Sequence, residues 1–293
     1  MNWNPLRLED GDVIRSYLKQ KEYAYSQCNF TTMYLWEKMT GAKWQIIEDC
    51  LCISMNVRGC TFASFPVGNG DVHAAIEALR KEFSCCLFFG MLTNEMLEQM
   101  RGWYPNLMVT DRRDSYDYVY LRENLVSLSG KKLHSKRNHI NKFKSLYSYE
   151  YHPFSKEFAK ECLALEQAWL DGKTEMDDFS RECEYDAVRK SIEDFDALGV
   201  RGGVLTVDSK VIAFTIGEML TSDTALIHME KADASYQGAY PMINQQFCEH
   251  EFHDAVYIDR EEDMGLEALR KAKLSYYPEK LIEVQTVVIK IQN

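Results

Sequence analysis

The stretch RGGVLTVDSKVIAFTIGEML, residues 201–220, decides the fold. Its two β-rich runs, Gly203 to Val207 and Lys210 to Leu220, flank Asp208-Ser209, a polar two-residue connection that predicts a tight hairpin. Thr224 to Glu230 adds a third strand and makes an antiparallel meander. Beyond Tyr236-Gln237-Gly238-Ala239-Tyr240-Pro241 a helix is expected to about His253, with Pro241 in the first turn, where its missing amide hydrogen costs nothing. Ala255 to Ile258 reads as a strand, Gly265 to Leu274 as a short helix and Leu281 to Ile291 as a closing strand. Upstream of the hairpin, Gly130 opens a basic helix over 131–146, followed by a strand over 147–152 and helices over 155–170 and 182–198. This order predicts an α+β domain with helices packed on a mainly antiparallel sheet.

The first half carries a similar but weaker pattern. A helix is expected over Asp12 to Lys21, another helix or turn over Phe30 to Trp36, and β-rich runs over Trp44 to Met55 and Cys60 to Val67. A helix over Val72 to Phe83, a strand over Cys85 to Met91, a helix over Asn94 to Trp103 and short strands over Leu107 to Thr110 and Tyr116 to Leu121 complete it. At 293 residues the chain is long enough for two such domains, expected at 1–124 and 125–293.

Composition narrows the function classes. The longest strongly apolar stretch, Cys85 to Leu92, is far short of the roughly 20 residues that cross a bilayer, so no transmembrane segment is expected. The first thirty residues are mixed and charged with no apolar core of an export signal, so a cytoplasmic location is expected. Nine cysteines, an odd number scattered through apolar runs, fit a reducing compartment, and none sits at zinc-ligand spacing, so no metal is expected. Hydrolase, P-loop and dinucleotide fingerprints are all missing. The formal charge of −11 argues against indiscriminate adhesion to nucleic acid. Yet Leu125 to Tyr149 holds six basic residues and no acid, which leaves 28 basic against 45 acidic residues elsewhere. A concentrated positive site on an otherwise acidic protein selects anionic ligands locally.

Three segments, GKKLHSKRNHINKF (130–143), the hairpin 201–220, and DREEDMGLEALRKAKLSYYPEK (259–280), resemble a family of bacterial proteins related to the C-terminal catalytic domain of phosphatidylglycerol lysyltransferase. The resemblance covers nearly the whole chain. It implies two tandem domains of the acyl-CoA N-acyltransferase (GNAT) fold, as in that domain and in the Fem peptidyltransferases that use aminoacyl-tRNA. The implied activity is acyl or aminoacyl transfer from a phosphate-bearing donor, aminoacyl-tRNA or acyl-CoA, to an amine or hydroxyl acceptor, either a small molecule or a lipid headgroup. No tightly bound cofactor is expected. The competing reading is a binding protein that holds an anionic metabolite or an RNA end without turnover.

Candidate site residues follow from these segments. On the basic helix Lys132, Lys136, Arg137 and Asn138 are candidates for donor phosphates. Arg137 falls on the apolar stripe with Leu133 and Ile140, and an inward arginine requires an anionic partner, from a ligand or from the protein, with Glu166 and Glu261 as internal candidates. Gln237 and Gly238 stand where acyl-CoA transferases carry a longer loop whose amides hold pyrophosphate at a helix N-terminus; here the loop is shortened. Glu261 and Asp263, in DREEDMG, are candidates for holding an ammonium or an acceptor, with Asp263 as a helix cap the simpler alternative. Arg270 and Lys273 on the following helix suggest a charged inner network with them. Glu230 and Tyr240 are candidates for managing the proton.

Overall fold

The computed structural model describes residues 2–21, 23–82 and 86–290. In chain order its strands and helices are β1 (Asn4–Pro5), α1 (Gly11–Leu18), α2 (Phe30–Leu35), α3 (Glu37–Thr40), β2 (Lys43–Ile47), β3 (Cys50–Val57), β4 (Cys60–Ala63), α4 (Val72–Glu82), β5 (Cys86–Thr93), α5 (Asn94–Trp103) and β6 (Met108–Asp111). There follow β7 (Asp117–Leu121), α6 (Arg122–Ser127), α7 (His134–Leu146), β8 (Tyr149–Pro153), α8 (Ala159–Asp171), α9 (Asp178–Glu193), α10 (Phe195–Leu198), β9 (Arg201–Val207), β10 (Lys210–Met219), β11 (Thr224–Ala232), α11 (Ala239–His250), β12 (Tyr257–Asp259), α12 (Glu267–Leu274), β13 (Lys280–Ile282) and β14 (Val284–Lys290). Phe83, Cys85 and Ile291, which the expected elements include, lie outside the described residues.

The chain forms two compact units, one of Met1–Asp117 with Ile282–Asn293 and one of Tyr118–Leu281. Each is built on a seven-stranded, mainly antiparallel sheet, in the order β1-β2-β3-β4-β5-β14-β6 and β13-β7-β12-β11-β10-β9-β8. The division differs from the expected boundary after residue 124. Strand β7 pairs with β12 in the second sheet, whereas β14 lies between β5 and β6 in the first. The run expected as one closing strand is therefore two, β13 and β14, which serve different sheets. Its alternating pattern specifies a strand but carries no information about which neighbour completes it.

In the first sheet the run expected over Trp44 to Met55 folds back on itself. Glu48 and Asp49, both at positive φ, form the turn between β2 and β3. The hairpin of β9 and β10 is as expected, with Asp208 and Ser209 at φ 50° and 63°, the mirror-image turn geometry that matches strand twist. Helix α9 begins at Asp178, earlier than expected, because the Asp177 side chain accepts from the Ser180 amide and caps it.

The core of the second unit explains its continuous apolar strands. β10 and β11 are buried on both faces, by α8 on one side and α11 on the other, so their sequences do not alternate. Phe143, Leu205, Ile212, Ile227, Met242, Ile243, Phe247 and Ile258 pack together on the α11 side. One irregularity matters for the site. The β10–β11 register steps from Gly217↔Ile227 to Ile216↔Met229, which leaves His228 as the extra residue of a bulge. The bulge resets the alternation, so Glu230 reaches α11 while its neighbour Lys231 reaches α8 and α9.

Candidate functional site

Strands β11 and β12 run parallel and pair only over Thr224–Leu226 and Tyr257–Asp259. β11 continues to Ala232, whereas the chain after β12 turns along β7, where the Arg260 amide donates to the Tyr118 carbonyl. At this parting the unit places charge. Arg260 Nη2 donates to Glu230 Oε1 at 2.8 Å, and Asn244 Nδ2 of α11 donates to Glu230 Oε2 at 2.9 Å. The Arg260 guanidinium stacks over Tyr276, with its centre 5.0 Å from the ring centroid, and its Nη1 is buried with no hydrogen-bond partner among the described residues. An unspent donor on a buried guanidinium is costly unless something arrives to accept from it.

Helix α7 completes the cluster. It buries Leu133, Ile140 and Phe143, and it turns Lys136 onto the same ring, with Nζ 4.0 Å from the Tyr276 centroid. Burial, and after it the Arg260 charge, push the Lys136 ammonium down to about 8, against the opposing pull of Glu230. Asn138, Lys142 and Lys144 remain exposed on the same helix, and Lys131 and Lys132 are exposed in the turn before it, since the basic helix expected from residue 131 begins only at His134.

The neighbouring Arg137 has a different task. It donates to the carbonyls of Leu128 and Gly130, just past the C-terminus of α6, where a cation meets the negative helix end. The expected carboxylate partner, Glu166 or Glu261, is not what holds it. Gly238 also has a structural explanation: at φ 93°, its position beside α7 leaves no room for a side chain, since a Cβ would stand 2.6 Å from the His139 carbonyl oxygen. The backbone of α7 thus covers the start of α11 at Gly238, and Gln237 lies exposed beside it.

The acid-rich segment after β12 is neutralised from within. Lys273 Nζ of α12 donates to the carbonyls of Arg260, Glu261 and Glu262 at 2.5, 3.0 and 2.5 Å. Asp263 accepts from Arg270 Nε at 2.8 Å, from the Tyr118 hydroxyl at 2.6 Å and from the Gly265 amide at 2.9 Å. Although burial opposes ionisation, these donors hold its carboxyl well below the usual carboxylate range. It therefore closes a turn ahead of α12, whose N-cap is Leu266, rather than capping the helix itself. The inner network of Arg270 and Lys273 is as expected. Glu261, at φ 56°, lies 3.5 Å from His228 Nδ1, and Glu218 lies 2.9 Å from His228 Nε2. Burial, and after it the negative charge of the adjacent Glu261, push the carboxyls of Asp259 and Glu262 upward.

Beyond the end of β11, Tyr240 in the first turn of α11 accepts a hydrogen bond from Trp169 Nε1 of α8 at 3.0 Å. Burial raises its hydroxyl pKa, so the phenol stays protonated and is a poor base. Tyr240 lines a cleft of about 590 Å³ between α8 and the ends of β10 and β11.

The structure thus brings together Lys136 and Glu230 from the expected residues and adds Arg260, Asn244 and Tyr276, which sequence reasoning missed. The missed signal was Arg260 inside DREEDMG, the one cation in a run of acids. Glu261 and Asp263 face His228 and Arg270, and Tyr240 faces Trp169; none of the three joins that cluster.

Two mainly antiparallel sheets, each flanked by helices, with a parallel pair that parts over a charged cluster, define a tandem protein of the acyl-CoA N-acyltransferase fold. The chain belongs to the family described as phosphatidylglycerol lysyltransferase, C-terminal, which it matches over residues 18–288. It is similar to a conserved protein of unknown function from Bacteroides thetaiotaomicron, at 32% identity and TM-score 0.87 over 100% of both chains. It also resembles L-PGS from Bacillus licheniformis, at 14% identity and TM-score 0.68, covering 99% of this chain and 94% of the other. A tandem GNAT protein from the clavulanic acid pathway shares the fold at TM-score 0.54 and 9% identity, over 100% and 99% of the two chains. An uncharacterized protein of Mycoplasmoides gallisepticum is 26% identical over 204 residues, which span 67% of this chain and 63% of that relative's length. No helix among the described residues is long and apolar enough to cross a membrane.

Proposed function

We propose that the second unit transfers an aminoacyl group from aminoacyl-tRNA to an amine or hydroxyl acceptor, with the reaction centred on Lys136 and Arg260. The observation that carries this reading is that α7 and the turn before it expose four ammonium groups, Lys131 and Lys132 in the turn and Lys142 and Lys144 on the helix, while α7 turns Lys136 inward onto the Arg260–Glu230 pair. The exposed row suits the phosphates of a long polyanion. The inward lysine suits the reacting carbonyl. Acyl-CoA is the less favoured donor, because the helix start that would hold its pyrophosphate is covered by α7 at Gly238.

In this scheme the acceptor nitrogen or oxygen attacks the ester carbonyl, and the developing oxyanion accepts a hydrogen bond from Arg260 Nη1, the donor left unspent in the fold. Neutral Lys136, available because its pKa lies near 8, takes the acceptor's proton. The bond between the carbonyl carbon and the terminal ribose oxygen then breaks, and that oxygen leaves with the proton from Lys136. Glu230, with both oxygens engaged, holds Arg260 in place and is not the base. Family membership suggests lysine as the aminoacyl group and phosphatidylglycerol as the first acceptor to try.

The test is turnover of radiolabelled lysyl-tRNA with phosphatidylglycerol vesicles, beside acetyl-CoA with the same acceptor. Lysyl transfer that falls at least a hundredfold in Arg260→Gln, in line with the loss of one oxyanion donor, supports the reading. Saturable binding of tRNA without acceleration of ester loss, across the acceptors tried, would leave the binding-protein reading in its place.

A further inference from the structure

The cleft beside Tyr240 lies between α8, the end of β11 and the first turn of α11, whereas the proposed reaction centre gathers Lys136, Glu230, Asn244 and Arg260, none of which lines it. Its volume of about 590 Å³ is within the roughly 300–1,000 Å³ of small-molecule sites. The walls are apolar and aromatic: Ala164, Leu165, Ala168, Trp169, Val211 and Tyr240. The tryptophan is held in place twice. Its indole N–H donates to Tyr240, and the Lys231 ammonium sits 3.5 Å from its ring centroid. Lys231 is only 4% exposed and is itself fixed by Glu184 at 2.6 Å and Glu166 at 3.3 Å. A buried charged network under an aromatic wall makes that wall rigid before any ligand arrives, which reduces the entropy lost on binding.

The sign of the ligand follows from how the polar groups at the rim are occupied. Asp233 accepts from both the amide and the hydroxyl of Ser235, and Glu161 accepts from the Val211 amide. The acids at the cleft therefore face protein donors. The two lysines are less fully engaged, since Lys210 shares Asp233 with Ser235. Lys210 stands 3.6 Å from Asp233, and Lys173 has no acidic partner among the described residues, its ammonium resting 4.5 Å from the Trp169 centroid. An anion arriving over the ring would meet both ammonium groups. We infer that this cleft is a second ligand site, which takes a small organic anion with a flat apolar body: a carboxylate or phosphate toward Lys173 and Lys210, and the body against Trp169, Ala168 and Tyr240.

A matched set of probes tests the inference on the full chain: phenylacetate, its uncharged amide 2-phenylacetamide, and its cationic counterpart phenethylamine. These have the same ring and differ in charge. Titration calorimetry and tryptophan fluorescence are expected to show saturable binding in the order phenylacetate, amide, amine. Lys173→Gln and Lys210→Gln should each weaken phenylacetate by about three- to fivefold, the size of a partly exposed ion pair, and leave the amide unchanged. Ala168→Trp, at an exposed position of α8, should fill the cleft and abolish binding while circular dichroism and the Tm stay as in the parent. Arg260→Gln should bind phenylacetate as the parent does, which separates this site from the reaction centre. Tightest binding of phenethylamine, equal binding of all three probes by Ala168→Trp, or no saturable binding of any probe would overturn the inference.

Discussion

His228 shows how one residue can set the pH dependence of a fold. Burial opposes its charged form, yet hydrogen bonds and the charges of Glu218 and Glu261 outweigh burial and raise it to about 9. A raised histidine stabilises the folded state in full below its unfolded pKa, near 6.5, and that contribution disappears as pH rises through 9. The stability gap between the parent and His228→Gln should therefore be largest at pH 6 and shrink by pH 10 in urea titrations. A gap that does not change with pH would rule this account out. Lys273 supports the loop after β12 in another way, by satisfying three backbone carbonyls from one buried ammonium. Lys273→Met should cost about 3–5 kcal/mol of unfolding free energy, the range found when one member of a buried charged set is removed. At this scale sequence was a partial guide. The charged network of Arg270 and Lys273 was legible from spacing, but its direction was not, because a one-dimensional pattern shows charges and not the carbonyls they face.

At the scale of elements, α7 carries the clearest division of labour. Adjacent residues on a helix point about 100° apart, so Lys136 and Arg137 cannot serve one site. Arg137 lies on the apolar stripe and closes the end of α6, and Lys136, one position earlier, reaches Tyr276. Charge reversal at Lys142 and Lys144 should weaken tRNA binding and lower the slope of log affinity against log salt by about one to two. It should leave the Lys136 titration where it is. If affinity and slope are unaffected, the exposed row is only a solvated face. The contact between α7 and α11 offers a second check. Gly238→Ala forces a Cβ against the His139 carbonyl oxygen at a backbone angle that alanine resists, and it should cost about 1–3 kcal/mol of unfolding free energy, read from denaturant titrations. Sequence pointed to Gly238 for its place at a helix start; the reason for the glycine is packing against α7.

At the scale of the whole molecule, the return of the chain to its first sheet is the main consequence of the topology. β14 supplies hydrogen bonds to β5 on one side and β6 on the other, so neither edge is closed without it. Truncation after Leu281 should remove hydrogen-exchange protection from β5 and β6 while β9, β10 and β11 keep theirs. Equal loss in both units would show that they unfold as one.

The sequence by itself determined the α+β class, the doubled layout, the hairpin at Asp208-Ser209 and the basic helix, because turn chemistry, hydrophobic period and charge clustering are local properties. Only the tertiary structure decided that the closing run splits between two sheets, that His228 bulges from β11, and that Arg260 joins Lys136 and Glu230. Those outcomes depend on strand partners and side-chain neighbours far apart in the chain, and a period of two or 3.6 residues carries no record of them.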